Sequence, residues 1–163
     1  MRRRYSREMA LQNIERLRAA FPGATFTTDI MVGFPGEEEE DFLDSVRFAG
    51  EARFLDAHVF AYSERKNTPA ATFEGKVSEE EKRRRSEALI AACAEVTREV
   101  LTDIVNRAEV QKCIFEQKKD GLWIGHSEGF AEVMVECQRD IKGLELSVLP
   151  EKVIGKAIFG RII

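Results

Sequence analysis

The sequence predicts an α/β fold that passes through one long helix into a small all-β module. Three observations carry this. Helical and strand-like stretches alternate over the first 62 residues, a helical apolar period runs over 78–106, and short alternating runs separated by turn residues fill 109–163. The domain boundary is placed between 108 and 109, where the period changes.

The first helix carries Leu11, Ile14, Leu17 and Phe21 at three- and four-residue steps. Pro22 and Gly23 stop it, because proline cannot continue the hydrogen-bond ladder and glycine accepts the left-handed turn. Residues 24–32, rich in Thr, Phe, Ile and Val, form the first strand, and Gly33-Phe34-Pro35-Gly36 turns the chain. The acidic run 37–41 suits the first turn of a second helix, where unpaired N–H groups favour carboxylates; its apolar face is Phe42, Val46 and Ala49. LDAHVFAY, residues 55–62, forms the second strand. Connections this short favour parallel strands with crossover helices.

Residues 63–76 form a loop, and Ser78 with Glu81 three positions later is a capping box that opens the long helix. Its stripe is Leu89, Cys93, Val96, Val100 and Ile104, and Lys82, Arg83, Arg84 and Arg85 are assigned to its solvated side. Five strands are expected at 110–116, 122–126, 131–137, 144–148 and 157–163. Five short strands in so few residues suggest a small closed barrel, and OB-like barrels commonly bind oligonucleotides.

Composition narrows the function classes. The 163 residues are 44% hydrophobic, enough for a core, and the net charge of -4 announces no polybasic field for nucleic acid. The barrel module holds eight Lys/Arg against nine Asp/Glu, so charge alone would not make it an RNA binder. No apolar run approaches the roughly 20 residues that cross a bilayer, so no membrane partner and a cytoplasmic location are expected. Cys93, Cys113 and Cys137 lie 20 and 24 residues apart, without the close spacing that holds zinc or an iron–sulfur cluster. They are expected to be isolated thiols packed as small hydrophobes. The joint at 27–37 is where α/β proteins bind ligands, and it is equally readable as a tight strand–helix turn. It lacks the lysine and hydroxyl of a nucleoside-triphosphate loop.

TTDIMVGFPGE at 27–37 and HVFAYSERKNTPAA at 58–71, with MRRRY upstream, resemble the later part of the radical S-adenosylmethionine (SAM) barrel of the methylthiotransferases. The HVF-x-YS-x-R form looks most like the branch that modifies threonylcarbamoyladenosine in tRNA. CIFEQ at 113–117 and GHSEGFAEVMVE at 125–136 resemble that family's TRAM domain, an RNA-binding β-barrel. The resemblance implies a partial radical-SAM (β/α) barrel over 1–108, including the connecting helix, followed by an OB-like TRAM barrel over 109–163. It implies transfer of a methylthio group to carbon 2 of N6-threonylcarbamoyladenosine beside the anticodon. SAM and two [4Fe–4S] clusters would serve as cofactors, and the anticodon stem-loop of tRNA would be the partner.

Departures qualify that implication. The cysteine motifs that hold both clusters are absent, Ala61 stands where the family usually has proline, Asn67 where it has glycine, and Glu38 where it has threonine. Asn67 should still accept a left-handed turn. The chain alone is therefore expected to be inactive, and either to be poorly soluble or to associate with a partner supplying the missing N-terminal half, because a parallel sheet lacking strands exposes an edge. A non-catalytic RNA-binding module is the alternative. So is a fragment of the isopentenyladenosine or ribosomal-protein methylthiotransferase, although YS-x-R with Thr68 favours the tRNA branches.

By that resemblance Ile30, Val32, Gly33 and Phe34 lie against the adenosyl part of SAM. Phe60 and Tyr62 flank a base, and Ser63 and Arg65 offer polar contacts to SAM or to tRNA phosphate. His58 is expected as a hydrogen-bonded core histidine, and Asp29 as a satisfied structural carboxylate. Arg2, Arg3, Arg4 and Tyr5 are candidates for contact with SAM or RNA, with Arg3 and Arg4 foremost. In the barrel module Trp123 is expected in the core, while His126 and Phe130, beside glycines, are the RNA candidates.

Overall fold

Each change of period in the sequence becomes a change of element. The computed structural model describes residues 4–163, so Arg2 and Arg3 lie outside the described residues. It contains α1 (Arg7–Ala20), β1 (Thr27–Val32), α2 (Glu39–Ala52), β2 (Asp56–Ala61), a 3-10 turn (Pro69–Thr72) and α3 (Glu79–Arg107). There follow β3 (Gln111–Lys119), β4 (Leu122–Ser127), β5 (Glu132–Glu136), β6 (Glu145–Ile154) and β7 (Ala157–Ile162). The chain divides into two compact units: α1 with Phe26–Val96, and Phe21–Thr25 with Thr97–Ile163. The division falls within α3, which contributes to both. Among the described residues no helix is long and apolar enough to cross a membrane.

In the first unit β1 and β2 pair in parallel from Thr27↔Asp56 to Val32↔Ala61. Period-2 alternation sends Ile30, Val32, Ala57 and Val59 to one face, where they pack with Phe42, Val46 and Ala49 of α2 and Leu89 and Cys93 of α3. The same alternation leaves Asp29, His58 and Phe60 on the other face, exposed. His58 is therefore not a core residue: it stands beside Phe60, ring centroids 5.8 Å apart. α1 buries none of its residues fully. It is tied down by Arg7 to Glu51 at 2.7 Å and by the Arg18 guanidinium donating to the carbonyls of Ala52 and Arg53 at 2.6 and 2.9 Å.

The starts of the two later helices show their sequence signals. At α2 the Glu38 N–H donates to the Asp41 carboxylate at 3.0 Å, and at α3 the Glu81 N–H donates to Ser78 Oγ at 3.2 Å. Asn67 takes the left-handed conformation expected of it, with φ 67°.

The second unit closes five strands in the order β3-β4-β5-β7-β6. All neighbours are antiparallel except β5 with β7, and β6 returns to β3 through Gln111↔Val148 to Ile114↔Glu145. Cys113, Phe115, Trp123, Val133, Val135, Val148 and Ile158 alternate inward and are buried. Each large side chain among them contributes about 1.5–3 kcal/mol relative to exposure. Strand β6 runs six residues past the expected end at 148, through Pro150. Proline has no N–H for the ladder, and the chain accommodates it at a bulge where the β6–β7 register slips between Pro150 and Lys152. A second bulge lies between Phe115 and Gln117 of β3.

Candidate functional site

The carboxyl ends of β1 and β2 open into a cavity of about 300 Å³ within the first unit, lined among others by Gly33, Tyr62, Ser63, Lys76, Glu79 and Lys82. Its position follows from the parallel pairing: both strands point their last residues the same way, and the Tyr62 N–H extends the ladder by bonding the Val32 carbonyl at 2.8 Å. Beyond Val32 the chain must turn sharply. Gly33 does so at φ +73°, and a Cβ there would lie 2.4 Å from Lys82 Cγ. This glycine is thus required by the approach of α3 as well as by the turn.

The turn is held by charge. The Glu37 carboxylate accepts the Gly33 N–H through both oxygens, at 2.9 and 3.0 Å. Arg85, only 5% exposed, donates to Glu37 Oε1 at 2.6 Å, to the Glu37 carbonyl at 3.0 Å and to Glu81 at 2.8 Å. Burial opposes the Arg85 charge, but the hydrogen bonds it donates to the Glu37 and Glu81 carboxylates, with their negative charge, outweigh it, and its pKa is raised. Lys82 is 8% exposed, lays its stem against Gly33 and places Nζ 2.7 Å from Glu79 and 5.6 Å from the centre of the Tyr62 ring. Phe34 closes the side of the turn, edge-on to Tyr62 at 5.3 Å and to Phe73 at 6.1 Å. The Gly36 N–H bonds the Gly75 carbonyl at 2.9 Å, which brings the 63–76 loop back onto the turn.

Of the residues singled out in the sequence, Gly33, Tyr62 and Ser63 meet in this cavity with Phe34 beside them. Ile30 and Val32 turn their side chains into the core. Phe60 is on the opposite sheet face, 37% exposed. Arg65 is exposed, and its carbonyl accepts the Thr68 hydroxyl at 2.8 Å. Arg4 is exposed and Arg3 lies outside the described residues. In the second unit Trp123 is buried, while His126 is half-buried and Phe130 is exposed.

Sequence reasoning missed Glu37, Lys76, Lys82 and Arg85. Lys82 and Arg85 are not on a solvated face: they continue the Leu89–Cys93 stripe toward the N-terminus of α3 at three- and four-residue steps. The signal was that spacing, hidden by residue type.

The cavity has a polar, charge-balanced lining. Lys76 pairs with Glu64 at 2.6 Å and Lys82 with Glu79 at 2.7 Å. Tyr62 Oη is buried without a hydrogen-bond partner among the described residues. A ligand with both donors and acceptors suits such a lining. No group of three or more His, Cys, Asp or Glu is placed to hold a metal ion among the described residues, and Cys93 and Cys113 are buried in separate units.

Residues 1–49 match the radical SAM superfamily. The chain is 34% identical over 146 residues to a threonylcarbamoyladenosine tRNA methylthiotransferase of Bacillus subtilis, covering 88% of this chain and 32% of that protein. It is 45% identical over 121 residues to a tRNA-2-methylthio-N(6)-dimethylallyladenosine synthase of Leifsonia xyli, covering 74% of this chain and 23% of the relative. A synthase of the same name from Endomicrobium trichonymphae is 32% identical over 163 residues, all of this chain and 38% of the relative. The chain thus spans between 23% and 38% of the length of these curated relatives. It is homologous to a C-terminal part of the radical SAM tRNA methylthiotransferases.

Proposed function

We propose that the chain forms one wall of the SAM site of a tRNA methylthiotransferase and carries its RNA-binding TRAM barrel. Residues 1–108 are then the later part of a radical-SAM barrel with its connecting helix, and 109–163 the OB-like TRAM module. The observation that carries this reading is the cavity at the carboxyl ends of a parallel strand pair, where Gly33, Tyr62 and Ser63 converge with two lysines. Tyr62 Oη, lacking a partner, and Lys76 and Lys82 would bind the polar groups of SAM, with Ile30, Val32 and Phe34 fixing the turn behind them. Phe60 and Arg65 serve the nucleoside and its phosphate, and Arg3, Arg4, His126 and Phe130 contact the anticodon stem-loop.

SAM would supply the radical chemistry when bound, and the residues of this chain would hold and orient it. The described residues do not fit a [4Fe–4S] cluster. The cluster ligands are proposed to lie in the part of the relatives' length that this chain does not span, and that part is the proposed protein partner. The substrate proposed is N6-threonylcarbamoyladenosine. The 45% identity to a dimethylallyladenosine enzyme, over a shorter span, favours the second branch as an alternative.

Isothermal titration of the 163-residue chain with SAM tests the wall. Saturable binding, weakened in Tyr62→Phe and in Lys82→Met, is expected; no heat from SAM in a folded wild-type chain would overturn it. Titration with 17-nucleotide anticodon hairpins bearing each modified adenosine distinguishes the two branches.

A further inference from the structure

Among the described residues Phe130 is the most exposed of the large hydrophobic side chains, at 74%, and its backbone has φ +64°. A bulky residue in the left-handed region is an outlier, and such outliers persist only where the surroundings hold them. Here they do. The Ser127 N–H donates to the Ala131 carbonyl at 2.9 Å, the Phe130 N–H to the Ser127 carbonyl at 2.9 Å, and the buried Ala131 N–H to Ser127 Oγ at 3.2 Å. The Glu128 N–H donates to the Lys112 carbonyl at 3.0 Å, and the Thr25 hydroxyl donates to the Gly129 carbonyl. A turn fixed by five hydrogen bonds thus aims an uncovered aromatic ring at solvent.

The neighbourhood of the ring is specific. The His126 ring lies 5.6 Å from that of Phe130, tilted by 38°, and Ile114, paired with His126 across β3 and β4, is 51% exposed. Glu116, 3.6 Å from His126 Nδ1, and Glu132, paired with His126 across β4 and β5, flank the rings. These carboxylates disfavour a phosphate directly on the rings. The parallel register Val133↔Ile158 sets the β6–β7 turn, with Lys156, at the same end of the barrel as the β4–β5 turn.

We propose that Phe130, with His126 beside it, is a preorganised stacking post for one unpaired base of an RNA loop, and that Lys156 meets the adjoining backbone. The proposal rests on RNA being the barrel's partner. It adds that affinity at this turn comes from a base face and not from phosphate contact.

The test uses the whole chain and an anticodon-arm hairpin carrying 2-aminopurine in its loop. Phe130→Gly removes the ring and relieves the positive φ, so its melting temperature is expected to equal or exceed the wild type's. Its affinity is expected to fall about five- to a hundredfold, with the wild-type fluorescence quenching abolished and the dependence of log K on log salt unchanged. Phe130→Trp should retain quenching and affinity. Lys156→Gln should instead flatten the salt dependence by about 0.7 for each phosphate that the side chain no longer neutralises. A wild-type chain that binds the hairpin no better than Phe130→Gly overturns the stacking post alone. Failure of the folded wild-type chain to bind any hairpin overturns the RNA reading and the post with it. If sedimentation shows that Phe130→Gly abolishes self-association while RNA binding is unchanged, the ring is a contact between copies and the proposal falls.

Discussion

Replacing Arg85 by Met should destabilise the first unit and loosen the Gly33 turn. Methionine keeps a long apolar stem, so the change removes charge and hydrogen bonds more than volume. What it leaves is the Glu37 carboxylate, 12% exposed, without its cation. Breaking a buried ion pair by removing one partner costs about 3–5 kcal/mol. Glu37 keeps two hydrogen bonds from the Gly33 N–H and some access to water, which places the loss at the low end, about 3 kcal/mol. For a chain of this length that lowers the melting temperature by about 6–12 °C.

The decisive assay is a double-mutant cycle in urea, followed by circular dichroism, with Glu37→Gln as the second change. If the two groups stabilise each other, the double variant loses less than the sum of the single losses by more than about 1 kcal/mol. Arg85→Lys should not restore stability, because a single ammonium cannot reach Glu37 Oε1, the Glu37 carbonyl and Glu81 together as the guanidinium does. Additive single losses, or an Arg85→Met variant within about 1 kcal/mol of the wild type, would refute the reasoning.

Gly125→Ala should destabilise the barrel by about 3 kcal/mol or more, since a Cβ there would lie 2.1 Å from the Ile114 carbonyl oxygen and backbone cannot give way as a side chain can; urea unfolding of the variant measures it. Hydrogen bonds from Arg84 and then Arg85 hold the Glu81 carboxyl down at about 2, from an ordinary 4.5. A depressed carboxylate stabilises above its unfolded pKa, so the gap in melting temperature between wild type and Glu81→Gln should be full above pH 4.5 and close as pH falls toward 2. Burial, with Glu128 nearby, pushes the Cys113 thiol up to about 12, so iodoacetamide at pH 8 should label the half-buried Cys137 first and leave Cys113 unmodified in the native protein by mass spectrometry.

How much was legible depended on whether residue type and position agreed. Val133 and Val135, or Leu89 and Cys93, are apolar and are buried at the period their element demands. Pro150 disagreed, because proline normally ends a strand, and only a register slip with β7 shows how β6 continues through it. Arg85 and Lys82 disagreed more strongly. Charged side chains are ordinarily solvated, and the groups that draw these two inward are Glu37 and Gly33, 48 and 49 residues earlier in the chain. No local pattern encodes a partner at that distance. For His58 the apolar neighbours suggested a core, but alternation placed it on the face that the two helices leave open. At the candidate site, Gly33, Tyr62 and Ser63 were legible through strand ends and motif, whereas the charged frame that positions them was not.

That frame ties the cavity to the core through one element. Along α3, Lys82, Arg85, Leu89 and Cys93 follow one another at helical steps, so the face that packs on Val32 and Phe42 continues directly into the face that grips the Gly33 turn. Rotating the helix by one residue, about 100°, would withdraw Leu89 from the core and Arg85 from Glu37 together. Apolar packing and the buried ion pair therefore specify the same helical phase, each limiting the error of the other. The apolar contacts are non-directional and tolerate small shifts, while the Arg85 guanidinium must meet the Glu37 carboxylate and carbonyl within hydrogen-bond distance. The energy of that placement comes chiefly from the core and its precision from the charges, which gives a physical reason for burying Arg85 at a position where leucine would pack more simply.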